Sequence, residues 1–159
     1  MIKDFEKLVK ILIEQKMTIS SAESCTGGMF ASSIVDVADA SHVLNAAVVT
    51  YANEAKTKYA GVDEETLAQY GAVSEQVAGL MASGIAKNNN ADVGVSFSGI
   101  AGPGGGTATK PVGTVCMGFW IKGDLLTETV VYDHKSRNEV RAAAVEYACD
   151  KLIKLLSQH

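Results

Sequence analysis

The amino-acid sequence predicts an α/β fold: one three-layer α/β/α domain over residues 1–159, built on a mixed sheet of about five strands. Two observations carry this expectation. Segments with apolar residues at helical spacing stand before and between short β-prone runs, which places helices on both faces of a sheet. The last two strand candidates are joined by Lys122-Gly-Asp124, a hairpin-length link, so the sheet cannot be all parallel.

In chain order, residues 4–16 set Phe5, Leu8, Val9 and Leu12 at helical spacing, with Ile11 and Ile13 widening the stripe behind a possible Asp4 cap. Residues 17–22 are short and β-prone. Gly27-Gly28 then punctuates the chain before a helical stretch over 29–37, giving strand, tight turn and helix. Asn45–Tyr51 is mostly apolar, as expected of a strand buried on both faces, and Asn53 is placed to cap the helix after it. Asp63 and Ser74 read as two further N-caps, followed by Glu64 and Glu65 and by Glu75, acids suited to the positive end of a helix. The second of these helices, over 75–87, is the longer. Three more strands are expected at Ala91–Phe97, Val112–Ile121 and Leu125–Tyr132, and a final helix over Glu139–Leu156 presents Val140, Ala144, Tyr147, Leu152 and Leu155.

Composition excludes several function classes. Hydrophobic residues at 47% against 20% charged imply a chain that folds around a sizeable core. A net charge of −4 without a basic block disfavours non-specific nucleic-acid binding. No apolar run reaches membrane-spanning length, and the charges scattered from Lys3 to Lys10 deny the N-terminus the apolar core of a signal peptide. Cys25, Cys116 and Cys149 form no C-x-x-C pair, which fits a reducing cytoplasm. His42, His134 and His159 show no ligand spacing, so neither a metal nor a cofactor is expected.

Three segments carry chemistry. Ser98-Gly-Ile-Ala-Gly-Pro-Gly-Gly-Gly-Thr107 follows a buried strand and holds five of the 15 glycines. Glycine permits close backbone approach, so successive N–H groups can converge on an anion or an amide oxygen. Its spacing fits neither a Walker A loop nor G-x-G-x-x-G, and the plainer alternative is a flexible β–β connection. Ser21-Ala-Glu-Ser-Cys-Thr-Gly-Gly28 sets small hydroxyl and thiol groups between a strand end and a helix start, where Ser24, Cys25 and Thr26 are all eligible nucleophiles, or where Ser24 or Thr26 only caps the helix. In Tyr51-Ala-Asn-Glu-Ala-Lys56, with Asn53 as N-cap, Lys56 stands at the third helical position, an unfavourable place for a cation. Such a lysine is either a solvated surface residue or, if buried, a base. The only two arginines, Arg137 and Arg141, lie four apart near the start of the last helix, on one face if both are helical, where they could grip a phosphate or pair with Glu139 or Glu146.

Taken together and in order, Ala22-Glu-Ser-Cys-Thr-Gly-Gly28, Val49-Thr-Tyr-Ala-Asn-Glu-Ala-Lys56, Gly71-Ala-Val-Ser74, and the glycine loop with Lys110-Pro-Val-Gly-Thr-Val115 closely resemble the CinA C-terminal domain family. Its characterised members are nicotinamide-nucleotide amidases. The departures are small: Ala52 replaces a frequent serine, and Ala108-Thr109 a proline and an acid. The resemblance implies hydrolysis of nicotinamide mononucleotide to nicotinate mononucleotide and ammonia. Ser24 would be the nucleophile, Lys56 the base, and Tyr51 would orient the lysine or share its proton. The oxyanion would be held by N–H groups around Thr26 to Gly28 or in the glycine loop.

Substrate contacts are expected from Glu23, Cys25, Thr26, Gly27, Gly28, Ser98, Gly99, Gly102, Gly104, Gly105 and Thr107, with Glu23 more an anchor of the turn than an acid or base. The phosphate is expected at Lys110, Arg137 or Arg141. The family also includes longer proteins with an extra N-terminal domain of molybdopterin-binding type, which 159 residues are expected to leave out. The expected partners are the small-molecule substrate and further copies of the chain in a homo-oligomer, with no nucleic acid and no membrane. A non-catalytic nucleotide-binding module using the same loop is the alternative, and Ser24, Tyr51 and Lys56 together favour the enzyme, since binding a phosphate needs none of them.

Overall fold

A computed structural model describes residues 2–159. Its five-stranded sheet has the order β2-β1-β3-β4-β5, formed by β1 (Ile19–Glu23), β2 (Leu44–Val49), β3 (Val93–Gly99), β4 (Thr114–Ile121) and β5 (Asp124–Val131). β1 pairs in parallel with β2 and β3, whereas β3, β4 and β5 run antiparallel. The sheet is therefore mixed, as the short link after Ile121 demands. Lys122 and Gly123, at φ of 46° and 100°, form that two-residue turn, whose positive dihedrals match the twist of the strands it joins.

Helices cover both faces. On one lie α1 (Ile2–Glu14), α2 (Met29–Val35) and α6 (Arg137–Leu156), and on the other α3 (Asn53–Ala60), α4 (Glu64–Tyr70) and α5 (Glu75–Asn88). The expected stripe of α1 is buried at Phe5, Leu8, Val9 and Leu12. Phe5, Phe30 and Phe97 form a ring series through this first layer, with successive centroids 5.5 Å apart. α6 begins two residues before its expected start because Ser136 and Glu139 form a reciprocal capping box.

The second face is built differently. α5 lies so close to β3 and β4 that a Cβ at Gly94 would strike the Ala82 carbonyl and one at Gly118 the Ala78 carbonyl. Ser96, between them, donates its hydroxyl to the Ala78 carbonyl at 2.5 Å and accepts from the Gly118 N–H at 3.1 Å. Gly84 makes the same close approach to the Ala60 carbonyl, seating α3 on α5. α4 hangs outside this layer and buries none of its residues fully.

Two expectations are corrected. β2 is an edge strand whose residues alternate between half-buried and exposed, so the run from Asn45 is not buried on both faces. Ala52, not Asn53, is the N-cap of α3, and no side chain caps it, which moves Lys56 one position further into the helix. Asp63 and Ser74 do cap α4 and α5, accepting from the N–H groups of Thr66 and Val77.

Candidate active site

The chain leaves β1 for α2 on one face and leaves β2 for α3 on the other. Between two parallel strands whose connections part in this way, a crevice opens beyond their carboxyl ends. Ser24 follows β1 at this edge and Thr50 and Tyr51 follow β2, while Ser98 and Gly99 close β3 and lead into the glycine loop. These segments surround a pocket of about 290 Å3 lined by Ser24, Cys25, Tyr51, Asn53, Lys56, Ala72, Val73, residues 98–102, Gly104, Gly105 and Arg137.

At its floor Lys56 lies 3.1 Å from the Ser24 hydroxyl. Its ammonium nitrogen also lies 2.7 Å from the Thr50 carbonyl and 3.2 Å from the Tyr51 carbonyl. The lysine is 1% exposed, and no carboxylate is among its hydrogen-bond partners. Burial lowers its pKa from the ordinary 10.5. A neutral amine has two N–H groups and one lone pair. The two carbonyls can only accept, so they take the two N–H groups, and the lone pair is left for the Ser24 O–H. Cys25 presents a neutral thiol, because burial pushes its pKa up to about 11, so its competence as a thiolate nucleophile is low.

The turn carrying Ser24 is held from within by Glu23. This carboxylate is completely buried and accepts from the hydroxyls of Ser21 (2.9 Å) and Thr26 (2.8 Å) and from the N–H groups of Phe30 (2.9 Å) and Ala31 (3.1 Å). The first N–H groups of α2 are thus occupied by a carboxylate from the preceding strand. Gly28, at φ 98°, stands at the cap position without a side chain to offer, so neither Ser24 nor Thr26 is the cap.

Several sequence-derived site residues lie away from the pocket. Glu23 does not line it, and Thr26 is fully buried with its hydroxyl turned to Glu23. Gly27 and Gly28 shape the turn through φ of 58° and 98° without reaching the pocket wall. Thr107 instead staples its own turn, its N–H reaching the Lys110 carbonyl and its hydroxyl accepting from the Lys110 N–H. Lys110 turns to the Tyr70 carbonyl at 2.8 Å and lines a separate cavity of about 410 Å3.

The cations separate in the same way. Arg137 and Arg141 are both helical, yet only Arg137 lines the pocket, where it bridges the Gly102 carbonyl (2.7 Å) and the Tyr51 hydroxyl (3.1 Å). Arg141 is spent on the carbonyls of Cys25 (2.8 Å) and Thr26 (3.1 Å). Tyr51 meets Lys56 through its main-chain carbonyl rather than its phenol, and the residue is 61% exposed.

The chain has counterparts among known proteins. The model of the CinA C-terminal domain matches residues 3–156.

The chain belongs to the CinA C-terminal domain family.

It is 48% identical over 145 residues to a CinA-like protein of Kosmotoga olearia, covering 91% of this chain and 35% of that protein. The chain therefore spans about a third of the length of that curated relative. Among solved structures, the competence/damage inducible protein CihA of Agrobacterium tumefaciens superposes with a TM-score of 0.89 at 41% identity, covering 96% of this chain and 95% of the other. A CinA superfamily protein of Klebsiella pneumoniae gives 0.95 at 33% identity, covering 99% and 98%. The shared α/β fold thus extends across nearly the whole chain.

The pocket also holds residues to which the sequence assigns no role at a site. Ala72 and Val73 lie within the Gly71–Ser74 stretch, which is tied to the pocket by the Ser98 hydroxyl on the Ala72 carbonyl at 2.7 Å. Asn53, released from capping, lines the wall. The Thr50 contribution is a carbonyl, for which a sequence carries no side-chain signal. Among the described residues no group of three or more His, Cys, Asp or Glu side chains could hold a metal, and no helix is long and apolar enough to cross a membrane.

Proposed function

We propose that this domain is an amidohydrolase that converts the carboxamide of nicotinamide mononucleotide to the carboxylate, releasing ammonia. The single observation behind it is the 3.1 Å approach of a buried lysine without a carboxylate partner to a serine at the pocket floor. A binding module gains nothing from keeping an amine buried there, whereas a base requires it.

In this reading Ser24 Oγ attacks the carboxamide carbon and its proton passes to Lys56 Nζ. Lys56 then gives that proton to the amide nitrogen as the C–N bond breaks, so ammonia leaves and a serine ester remains. A water molecule attacks the ester while Lys56 takes one of its protons. Collapse breaks the bond to Oγ, and Lys56 returns the proton to Ser24. Arg137, the one arginine lining the pocket, is suited to the substrate phosphate, since a guanidinium presents paired donors to phosphate oxygens.

Ammonia release across a panel of pyridine nucleotides and simple carboxamides tests the proposal. The expected result is turnover of nicotinamide mononucleotide that disappears in Ser24→Ala and in Lys56→Arg. Release of ammonia from none of the panel, or undiminished release by Ser24→Ala, overturns it.

A further inference from the structure

We infer that Arg141 is a positioning residue that aims the N–H of Cys25 at the oxyanion formed on Ser24, an inference that rests on the serine-nucleophile reading above. Acyl transfer places negative charge on the former carbonyl oxygen, and donors held ready for that charge carry much of the rate. Of the N–H groups expected to serve, those around Thr26 to Gly28 are taken or outside the pocket, while the glycine loop lines it at Gly102, Gly104 and Gly105 and can supply a second donor beside that of Cys25. Thr26 is completely buried, Gly27 donates its N–H to the Ser24 carbonyl at 3.1 Å, and Gly28 does not line the pocket. Cys25 does line it, and its N–H has no partner on another residue among those described.

The orientation of that N–H follows from a relay through two peptide groups. In a trans peptide the carbonyl and the next N–H point in opposite directions. Arg141 Nη2 holds the Thr26 carbonyl at 3.1 Å, and the other end of the same peptide is the Gly27 N–H, which holds the Ser24 carbonyl. The other end of the Ser24 peptide is the Cys25 N–H. Arg141 Nε fixes the intervening Cys25 carbonyl at 2.8 Å, so one guanidinium sets the tilt of two successive peptides. Because the chain of bonds begins at a cation, each N–H along it becomes a better donor. Nη1 rests on the Asn138 side chain at 3.0 Å, which fixes the fork from behind. A lysine ammonium cannot reproduce a planar grip on two carbonyls.

The test compares Arg141→Met, Arg141→Lys and Arg141→Ala with the parent, reading kcat and KM on nicotinamide mononucleotide and, separately, the rate at which a fluorophosphonate labels Ser24. Labelling forms the Oγ–P bond and expels fluoride, so it needs the same donors but not the natural substrate. Both kcat and labelling should fall by about 100-fold. KM should stay within about threefold. Lysine should restore little, and added ethylguanidinium should recover activity in Arg141→Ala. Unchanged labelling in folded Arg141→Met, or a loss confined to KM, overturns the inference and leaves the amidase reading intact. A parent that labels at Ser24 but releases no ammonia overturns the substrate reading alone. Should the Arg141 variants not fold, Asn138→Ala carries the test, since it frees Nη1 at an exposed residue: kcat should drop at constant KM, and an unchanged kcat counts against the relay.

Discussion

The face of the sheet beneath α1, α2 and α6 is filled by side chains, while on the face beneath α5 a smaller side-chain cluster stands beside direct backbone contact. On the first, aromatic rings and aliphatic groups from α1, α2, α6 and β3 interdigitate around Phe30. On the second, Gly94 and Gly118 let the helix carbonyls of α5 rest almost on the strands. Side-chain packing can re-sort rotamers when one group changes, but two backbones in contact have no rotamers to change. Of the proposed dyad, Lys56 belongs to the stiffer side, riding on α3, which is seated on α5 through Gly84, whereas Ser24 stands on the turn that leads into α2 on the other face. The more forgiving layer bears mainly on stability, and the rigid one also sets where the base sits.

The contrast is tested most severely at the dyad itself. Ser24→Ala and Lys56→Arg should each lower kcat by about a thousandfold or more in a steady-state ammonia assay. In the parent the rate should rise with pH through an apparent value below 10.5, because the amine acts only when deprotonated. Denaturant titrations should show the linked effect on stability. The folded-state pKa of Lys56 is depressed, so between that value and 10.5 the unfolded chain binds more protons, and stability rises with pH across this interval.

Adding one carbon on the tight face and removing one on the other compares the two layers directly. Gly94→Ala drives a methyl into the Ala82 carbonyl and should cost about 3 kcal/mol in urea unfolding, with kcat reduced in the molecules that still fold. Ile34→Val, in the aromatic layer, should cost about 1 kcal/mol and leave kcat unchanged. Equal costs, or equal effects on kcat, would erase the distinction between the faces.

Smaller effects should follow at the rim and far from it. Arg137→Met should raise KM for nicotinamide mononucleotide by about tenfold, and by less for nicotinamide riboside, which lacks the phosphate. On the α6 side, Tyr147 donates to Glu128, which also receives Lys151 Nζ at 2.6 Å. Burial alone would raise the pKa of Glu128, but these two hydrogen bonds outweigh it and hold the carboxyl below its ordinary 4.5. That contribution to stability is present above pH 4.5 and lost as the pH falls through the folded value. Tyr147→Phe should remove about 1 kcal/mol at neutral pH without altering kcat, as thermal melts and the ammonia assay would show.

Much of the fold was legible because its signals are local. Helical spacing marked α1, apolar runs marked β3 and β4, Asp63 and Ser74 marked two caps, and Lys122-Gly123 marked the hairpin. The failures have physical causes too. Asn45–Tyr51 looks buried because Ala46-Ala-Val-Val49 puts one alanine and one valine on each face, with no polar residue among the four to mark the exposed one, and the edge position of β2 depends on the order of the strands. Asn53 looked like a cap because its side chain could be one, whereas the chain enters α3 a residue earlier.

At the site, Ser24 and Lys56 stood out through their motifs, but their partners are the carbonyls of Thr50 and Tyr51, and any residue type supplies a carbonyl. Arg141 is expected, with Arg137 and Lys110, as a candidate for the phosphate or as a partner of Glu139 or Glu146, because its charge is visible in a sequence and the direction of its fork, toward the carbonyls of Cys25 and Thr26, is not. Glu23, expected both among the substrate contacts and as an anchor of the turn, receives the N–H groups of Phe30 and Ala31 at the start of α2, which its place just before a helix start allows.

The loose attachment of α4 gives one wall of the pocket its own lifetime. Ala72 and Val73 line the pocket, and the helix before them joins the body through the partly buried Leu67 and through Lys110 on the Tyr70 carbonyl, with Ser98 holding the Ala72 carbonyl. A helix without a fully buried residue unfolds locally far more often than the sheet does, and it does so without global denaturation. Amide deuteration should therefore run through residues 64–70 while β1 and β3 remain protonated. A ligand that bridges the pocket from Ser24 to Val73 would slow that exchange in proportion to its occupancy. On the amidase reading, exchange at residues 64–70 would then report on how far the pocket is filled.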